Sequence, residues 1–559
     1  LPQTGLSELI MKKRLRLLCC LSLSFLFASQ LYAQKYEAEG AVLSNGARMQ
    51  ACSSCSGGYY VAQEEGALSF SVNLTEPSFY NISVVAAAPY GEKTNIISVN
   101  GISAEFYLAD SSQFAAYKVV NTFKMEPGEH KIEILKSWGW IDIDFIELQK
   151  VIVSERFNLN QTLVSPNPIP EARALYDFLL DQYGKKIISG AMTLDSLDEA
   201  IWLKQHTGQE PALLGIDFMH SGRGYSWYQD KMPVMNAHTW YSRNGIPALM
   251  WHWRDPSRDT EEFYTKSQSK PDGTDFDISR IADESSAEYQ AMLQDIDYVA
   301  GLLKELQEEG VPVIWRPLHE AAGGWFWWGA KGPEPLKELW LLMYDRMVNH
   351  HGLRNLIWVW TREPGDEAWY PGDAYVDIIG RDIYKEGDHS SQAIEFNNLN
   401  ALYGGKKMVT LSEVGSFPDP DKLLQEGAGW SWFMPWYGSY TRESQYNPLA
   451  LWEKALAHEY VITLDEMPAL AIYERQPTGI PDFSEDEQSV LAYPTRVINE
   501  LTIKSKSRLE SVIIYNTLGT MVKQERLSGN TAVISMAGFQ PGLYILKVNQ
   551  QHSLRVMKE

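Results

Sequence analysis

The chain has 559 residues, 45% of them hydrophobic and 21% charged, which is ordinary for a globular protein and too long for one core, so about two to four domains are expected. A formal charge of −22 argues against nucleic acid or anionic lipid as partner, since both need Lys and Arg clustered on one face; a neutral polysaccharide meets no such objection. Nineteen Trp and 29 Tyr form a large aromatic allotment, to be divided between core filling and flat faces that stack on sugar rings.

Residues 1–10 begin Leu1-Pro2-Gln3-Thr4-Gly5, a sortase-like motif at the wrong end of a chain, and are read as an added or misassigned start. The basic Met11-Lys12-Lys13-Arg14 and the apolar run to Phe27 read as a signal peptide over 11–33, cleaved after Ala33. With that leader, and with no later stretch reaching the ~20 apolar residues of a spanning helix, the mature protein is expected to be exported and soluble. Cys52 and Cys55 remain, in a Cys-Ser-Ser-Cys loop. A local disulfide fits an exported chain; a zinc site would need two more ligands, and a redox pair a different surrounding fold.

Residues 34–149 alternate apolar and polar positions in short runs, such as Ala67-Leu68-Ser69-Phe70-Ser71-Val72, and predict a β-sandwich. A linker over 150–171, Pro-rich from Ser165 to Glu171, leads to a new domain that starts at Ala172. From there to 470, buried-strand runs at 186–192, 213–218, 246–253, 312–319, 356–360, 377–384 and 407–413 alternate with amphipathic helices, with an eighth strand at 430–436 or at 459–464. Eight such strands predict an α/β fold, a (β/α)8 TIM barrel, flanked by the N-terminal sandwich. After a linker over 471–488, residues 489–559 predict a small C-terminal β-sandwich.

Barrel chemistry sits at the C-terminal ends of strands. Glu320 and Glu413 end the fourth and seventh, facing each other across the mouth, and two carboxyls are the minimum for glycoside hydrolysis. A lone strand-terminal Glu is more often a salt-bridge partner. Here His319 and the loop Gly323-Gly324-Trp325-Phe326-Trp327-Trp328-Gly329 set an aromatic wall against Glu320, while Asp382 and Tyr384 end the sixth strand beside Glu413. His252 ends the third strand between two tryptophans.

These motifs resemble glycoside hydrolase family 26, mainly retaining β-mannanases, over about 172–470. His319-Glu320 with Trp325 to Gly329 is similar to the family's acid/base motif, and Ser412-Glu413-Val414-Gly415 to its nucleophile motif. The resemblance implies that Glu413 attacks the anomeric carbon while Glu320 protonates the leaving sugar and then deprotonates water, with no cofactor for catalysis. It further implies substrate contacts at His252, His319, Trp325, Asp382 and Tyr384, with Trp360, Trp430 and Trp436 as subsite walls. The implied activity is endo-β-1,4-mannanase on mannan, glucomannan or galactomannan, by a monomer. A β-1,3-1,4-glucanase, a β-1,3-xylanase and a non-catalytic polysaccharide binder are the alternatives.

The N-terminal segment resembles carbohydrate-binding module family 35. That implies sugar stacking by Trp138 and Trp140 and a structural calcium held by Glu37, Glu39 and Asp144, although exposed acids on a sandwich edge are the plainer reading. The C-terminal segment resembles type IX secretion sorting domains, with Thr495-Arg496 in place of the usual Asn-Pro after Tyr493-Pro494. That resemblance implies a secreted or cell-surface bacterial protein.

Overall fold

The computed structural model describes residues 33–151, 157–475 and 490–558, the last without 494–495, 506–507, 517–519 and 550–551. The expected signal peptide apart from Ala33, residues 1–10, parts of both linkers, and Pro494, Thr495, Leu518 and Gly519 lie outside the described residues. Two compact units divide between Arg475 and Gln476.

The N-terminal sandwich forms as its alternation dictates. In Ala67–Leu74, positions Leu68, Phe70, Val72 and Leu74 are buried and the others turn outward. One sheet runs Arg48–Ala51, Tyr59–Ala62, Asp142–Val151, Ser78–Ala88, Ser111–Met125, with Gln34–Glu37 along Asp142–Val151. The other runs Val42–Ser44, Ala67–Leu74, Gly128–Trp138, Lys93–Val99, Ile102–Leu108, which leaves Ile102–Leu108 at an edge. Cys52 and Cys55 are bridged, with Cα atoms 5.3 Å apart, so the disulfide is the reading of that loop that holds.

Eight parallel strands close the barrel: β1 (Ile187–Met192), β2 (Leu213–Asp217), β3 (Ile246–Met250), β4 (Val313–Arg316), β5 (Leu356–Arg362), β6 (Ile378–Ile383), β7 (Met408–Val414) and β8 (Trp432–Pro435). β8 returns to β1 with Ile188 opposite Trp432. The first candidate is therefore the eighth strand; Val461–Ile462 adds a short parallel pairing to β1 without joining the ring. All seven residues of β5 are buried, as both faces of a barrel strand require.

The outer layer includes α1 (Pro170–Gln182), α2 (Asp198–Thr207), α3 (Met232–Tyr241), α4 (Ala287–Glu308), α5 (Pro333–Tyr344) and α6 (Ala393–Leu402). Between β5 and β6 the expected helix is replaced by two 3-10 turns, Glu367–Trp369 and Asp373–Tyr375. The N-terminal sandwich packs near that gap. Asn398 on α6 accepts from the backbone N–H of Asn121 at 2.8 Å and donates to the Val119 carbonyl at 2.8 Å. A Cβ added to Gly365 would meet the Tyr107 ring at 3.2 Å, a tight contact, and its φ of +81° is one that other residues adopt only under strain, so glycine eases the close approach of module and barrel there.

Eleven of the 19 tryptophans are fully buried, so the aromatic allotment goes mostly to the core. Trp360 and Trp430 are among them, and the subsite-wall expectation for both is corrected. Side chains alternate along a strand, and on β5 it is Thr361 that turns inward to Arg316; Trp360 packs outward on Trp340 of α5, ring centroids 5.3 Å apart. Trp430 packs on Phe396 of α6 and donates its Nε1 to the Ser391 carbonyl at 2.9 Å.

The C-terminal unit has sheets ordered Val490–Tyr493, Glu500–Ser505, Thr531–Ser535 and Arg496–Val497, His552–Lys558, Gly542–Val548, Ser511–Asn516, Met521–Arg526. Leu501, Ile503, Val512, Ile514, Leu546 and Val548 are fully buried in its core.

Candidate active site

β4 ends at Arg316, four residues short of Glu320. Two non-glycine residues in left-handed conformation, Leu318 (φ 51°) and Glu320 (φ 52°), carry the chain round behind the strand end. Such backbone costs on the order of 1–3 kcal/mol per residue and persists where its surroundings over-determine it. Here the indole of Trp328 donates to the His319 carbonyl at 2.9 Å and Leu318 is buried, so the turn is anchored on both sides. Trp325 then donates Nε1 to Glu320 Oε2 at 3.2 Å.

Glu413 lies on β7, its side chain buried at the barrel mouth. Tyr384, just past β6, donates its hydroxyl to Glu413 Oε2 at 2.6 Å, and Arg316 donates Nη2 to Glu413 Oε1. Arg316 also reaches Asp382 Oδ2 at 3.1 Å and Thr361 Oγ1 at 3.0 Å. Asp382 takes a further bond from the Ser412 hydroxyl at 2.5 Å. A Cβ on Gly380, within β6, would collide with that Ser412 oxygen, so this position of the strand has to be glycine for Ser412 to hold Asp382.

Glu320, Asp382 and Glu413 each place one carboxylate oxygen within 4.8 Å of the others. For the Glu320–Glu413 pair that is short of the roughly 6.5–9.5 Å that inverting enzymes need to admit a water, and in keeping with the roughly 5–5.5 Å of retaining enzymes.

Three close acids with one arginine cannot all ionise alike. Burial pushes Glu320 far up, and the charges of Asp382 and Glu413 push it further; among the described residues no cation bonds it directly, so it holds its proton. Burial also raises Glu413, but Arg316 and the Tyr384 hydroxyl draw it back, so it is the more acidic of the two. Tyr384 itself is driven well above its ordinary value by burial and by Glu413, which keeps it a donor.

His252 lies two residues past β3, where Asp217 at the end of β2 accepts from its Nδ1 at 2.6 Å and from its backbone N–H at 2.9 Å. His252 Nε2 faces His319 Nε2 at 3.2 Å. Burial, with His252 and Arg316 close by, drops His319 well below the usual histidine range, so it is neutral. His252 and His319, with Tyr264, Phe326 and Trp436, line a cavity of about 620 Å³ at the mouth that also receives Glu320 and Glu413. That lies within the range of small-ligand sites.

His252, His319, Glu320, Trp325, Asp382, Tyr384, Glu413 and Trp436 are thus brought to one cleft. Sequence reasoning missed Arg316 and Asp217. Each ends its strand, the same signal that singled out the glutamates, but a buried strand gives no hint of which neighbour it will meet. It also missed the far wall, where Arg381 donates to Glu363 at 3.0 Å and to Glu395 at 2.8 Å.

In the N-terminal module, Trp138 and Trp140 are exposed beside exposed Tyr90, with the Trp140 and Tyr90 rings 5.6 Å apart. Glu37 and Asp144 converge on Ser56, bonding its hydroxyl at 2.7 Å and its backbone N–H at 3.0 Å, and Glu39 Oε1 lies against Gly57. Glu37 Oε2 and Glu39 Oε2 are buried without a hydrogen-bond partner, and burial raises Asp144. Unpartnered carboxylate oxygens of this kind suit a hard cation such as calcium.

A closed (β/α)8 barrel whose mouth pairs a protonated carboxyl with a more acidic one, walled by aromatic rings, is the arrangement of a glycoside hydrolase. The model for glycosyl hydrolase family 26 matches residues 164–466, and the chain belongs to that family. Models for carbohydrate binding module family 35 and for a secretion system C-terminal sorting domain match residues 34–151 and 491–559; the latter marks a secreted or cell-surface bacterial protein. The mannan endo-1,4-β-mannosidase of Thermothelomyces thermophilus is 38% identical over 78% of this chain and 90% of its own length. Two solved structures are similar: the GH26-CBM35 β-(1,4)-mannanase of Podospora anserina (35% identical, 79% of this chain and 100% of that one, TM-score 0.54) and a β-mannanase from a symbiotic protist of the termite Reticulitermes speratus, complexed with gluco-manno-oligosaccharide (44% identical, 56% and 99%, TM-score 0.53). Among the described residues no helix is long and apolar enough to cross a membrane.

Proposed function

We propose that this chain is an endo-acting β-1,4-mannanase that cleaves mannan, glucomannan or galactomannan by double displacement, with Glu413 as nucleophile and Glu320 as acid/base. The observation that carries the reading is the pair itself: two carboxyl oxygens within 4.8 Å, one acid without a cation partner and the other bonded to Arg316 and Tyr384. The relatives' names supply the sugar.

In the first step Glu413 attacks the anomeric carbon while Glu320 gives its proton to the departing oxygen. The negative charge that kept Glu320 protonated disappears once Glu413 is esterified, so Glu320 becomes acidic enough to serve as base for the incoming water. Asp217 and His252 fix the orientation of the ring facing the reacting sugar, and Asp382 offers its carboxylate to a sugar hydroxyl. Reducing-sugar release should be far higher on mannan than on lichenan or β-1,3-xylan. Preference for either of the latter would move the assignment to another member activity of the fold.

The domain limits proposed are 34–149 for the binding module, 172–470 for the catalytic barrel and 489–559 for the sorting unit, the whole acting as a monomer. Trp138 and Trp140 are proposed as the module's stacking surface, since exposed rings at a sandwich edge match flat sugars. Trp138→Ala is expected to weaken retention of the chain on insoluble mannan about tenfold in a pull-down; unchanged retention removes the residue from the surface. Glu37, Glu39 and Asp144 are proposed to hold a structural calcium, supported by the two unpartnered oxygens. Chelation should then lower the thermal midpoint of the module by several degrees, restored by calcium, and an unmoved midpoint argues against the ion.

A further inference from the structure

The edge strand Ile102–Leu108 of the N-terminal sandwich alternates strictly: Ile102, Ala104, Phe106 and Leu108 are buried in the sandwich core. Period two therefore puts Ser103, Glu105 and Tyr107 on the opposite face, all half-buried. That face meets the barrel. Lys385, directly after Tyr384, donates Nζ to the Ser103 carbonyl at 3.2 Å and to Gln392 at 3.1 Å. Ser103 and Glu105 line the same cavity as Glu320 and Glu413. A second cavity, about 390 Å³, shares Glu105, Glu363 and Glu395 with the first and continues past Tyr107 and Tyr117. The cleft therefore runs from the reacting carboxyls along the module rather than ending at the barrel rim.

We propose that the N-terminal module builds part of the cleft, with Ser103 and Glu105 forming a polar wall that binds a sugar residue distant from the scissile bond. The geometry is fixed on both sides of this wall, by Asn121 with Asn398 and by Tyr107 against Gly365. Across from Glu105 stand Glu363, Arg381 and Glu395, already joined by hydrogen bonds, so a chain entering between them meets acceptors and donors on two faces. Glu105 is close enough for its charge to help raise Glu363. Such polar groups suit the hydroxyls of a neutral oligosaccharide. Trp138, Trp140 and Tyr90 are not among the cleft residues, so the module has two separate sugar-facing surfaces.

This inference rests on the mannanase reading, and substrate length tests it separately. For Glu105→Ala the ratio of kcat/KM on mannohexaose to that on mannotriose should fall about tenfold, as the loss of hydrogen bonds to a charged group implies. The positions at which mannohexaose is cut should shift with it. Glu105→Gln, which keeps size and hydrogen-bonding capacity, should recover much of the ratio. An unchanged ratio and cleavage pattern in Glu105→Ala overturns the proposal, as does an equal loss at both lengths, which would mean that Glu105 only holds module and barrel together. If the parent chain released no products from mannan at all, the functional reading would fail instead.

Discussion

Glu413→Ala lowers kcat on mannan by about 10⁴-fold or more, because it removes the carboxylate assigned to form the bond to the anomeric carbon. Glu320→Ala is expected to lose about 10²–10⁴-fold on the same substrate, the usual worth of general acid–base catalysis. The two losses differ in kind. A substrate with a dinitrophenolate leaving group needs no proton on departure, so its first step survives in Glu320→Ala and not in Glu413→Ala. Pre-steady-state release of dinitrophenol separates the cases: a burst in the first variant and none in the second. Near-normal mannan turnover in either variant would falsify the assignment.

Arg316→Gln is expected to have the second largest effect, on stability and pH dependence together. The arginine is the cation in hydrogen-bond contact with both Asp382 and Glu413, and its side chain is buried. Removing one partner of a buried charged network costs about 3–5 kcal/mol, so the thermal midpoint of the barrel should drop markedly. The direction of the pH effect follows from burial raising Glu413 and Arg316 lowering it. Without the arginine the carboxyl binds its proton more tightly, and the ionised nucleophile appears only at higher pH. The acidic limb of the kcat/KM profile should therefore move up by about one unit or more. A limb that stays in place would show that Arg316 supports the fold without tuning the nucleophile.

The strand positions were largely legible in the sequence because barrel strands are buried on both faces and read as apolar runs bounded by turns. The missing helix between β5 and β6 was not, since nothing local to residues 363–377 reports that the N-terminal sandwich packs there. The cleft was legible where function and local pattern coincide: Glu413 on its strand, the aromatic run after Glu320, and Tyr384 at a strand end. It was illegible where a tryptophan could belong equally to core or cleft. Trp360 and Trp430 went to the core by one step of strand phase and by an indole bond to Ser391. Ser103 and Glu105 could not be found at all from local pattern, because they stand more than 200 residues from Glu320 in the chain and are brought to it only by the docking of the module on the barrel.

Double displacement passes through a covalent bond between the substrate and Glu413. In Glu320→Ala, a dinitrophenyl β-mannobioside should form that intermediate and leave it slow to hydrolyse for want of a base. Peptide mass spectrometry of the quenched protein should then find one mannobiosyl group on the peptide carrying Glu413. A label on another carboxylate, or an unlabelled protein that still released dinitrophenol in a burst, would rule out Glu413 as the nucleophile.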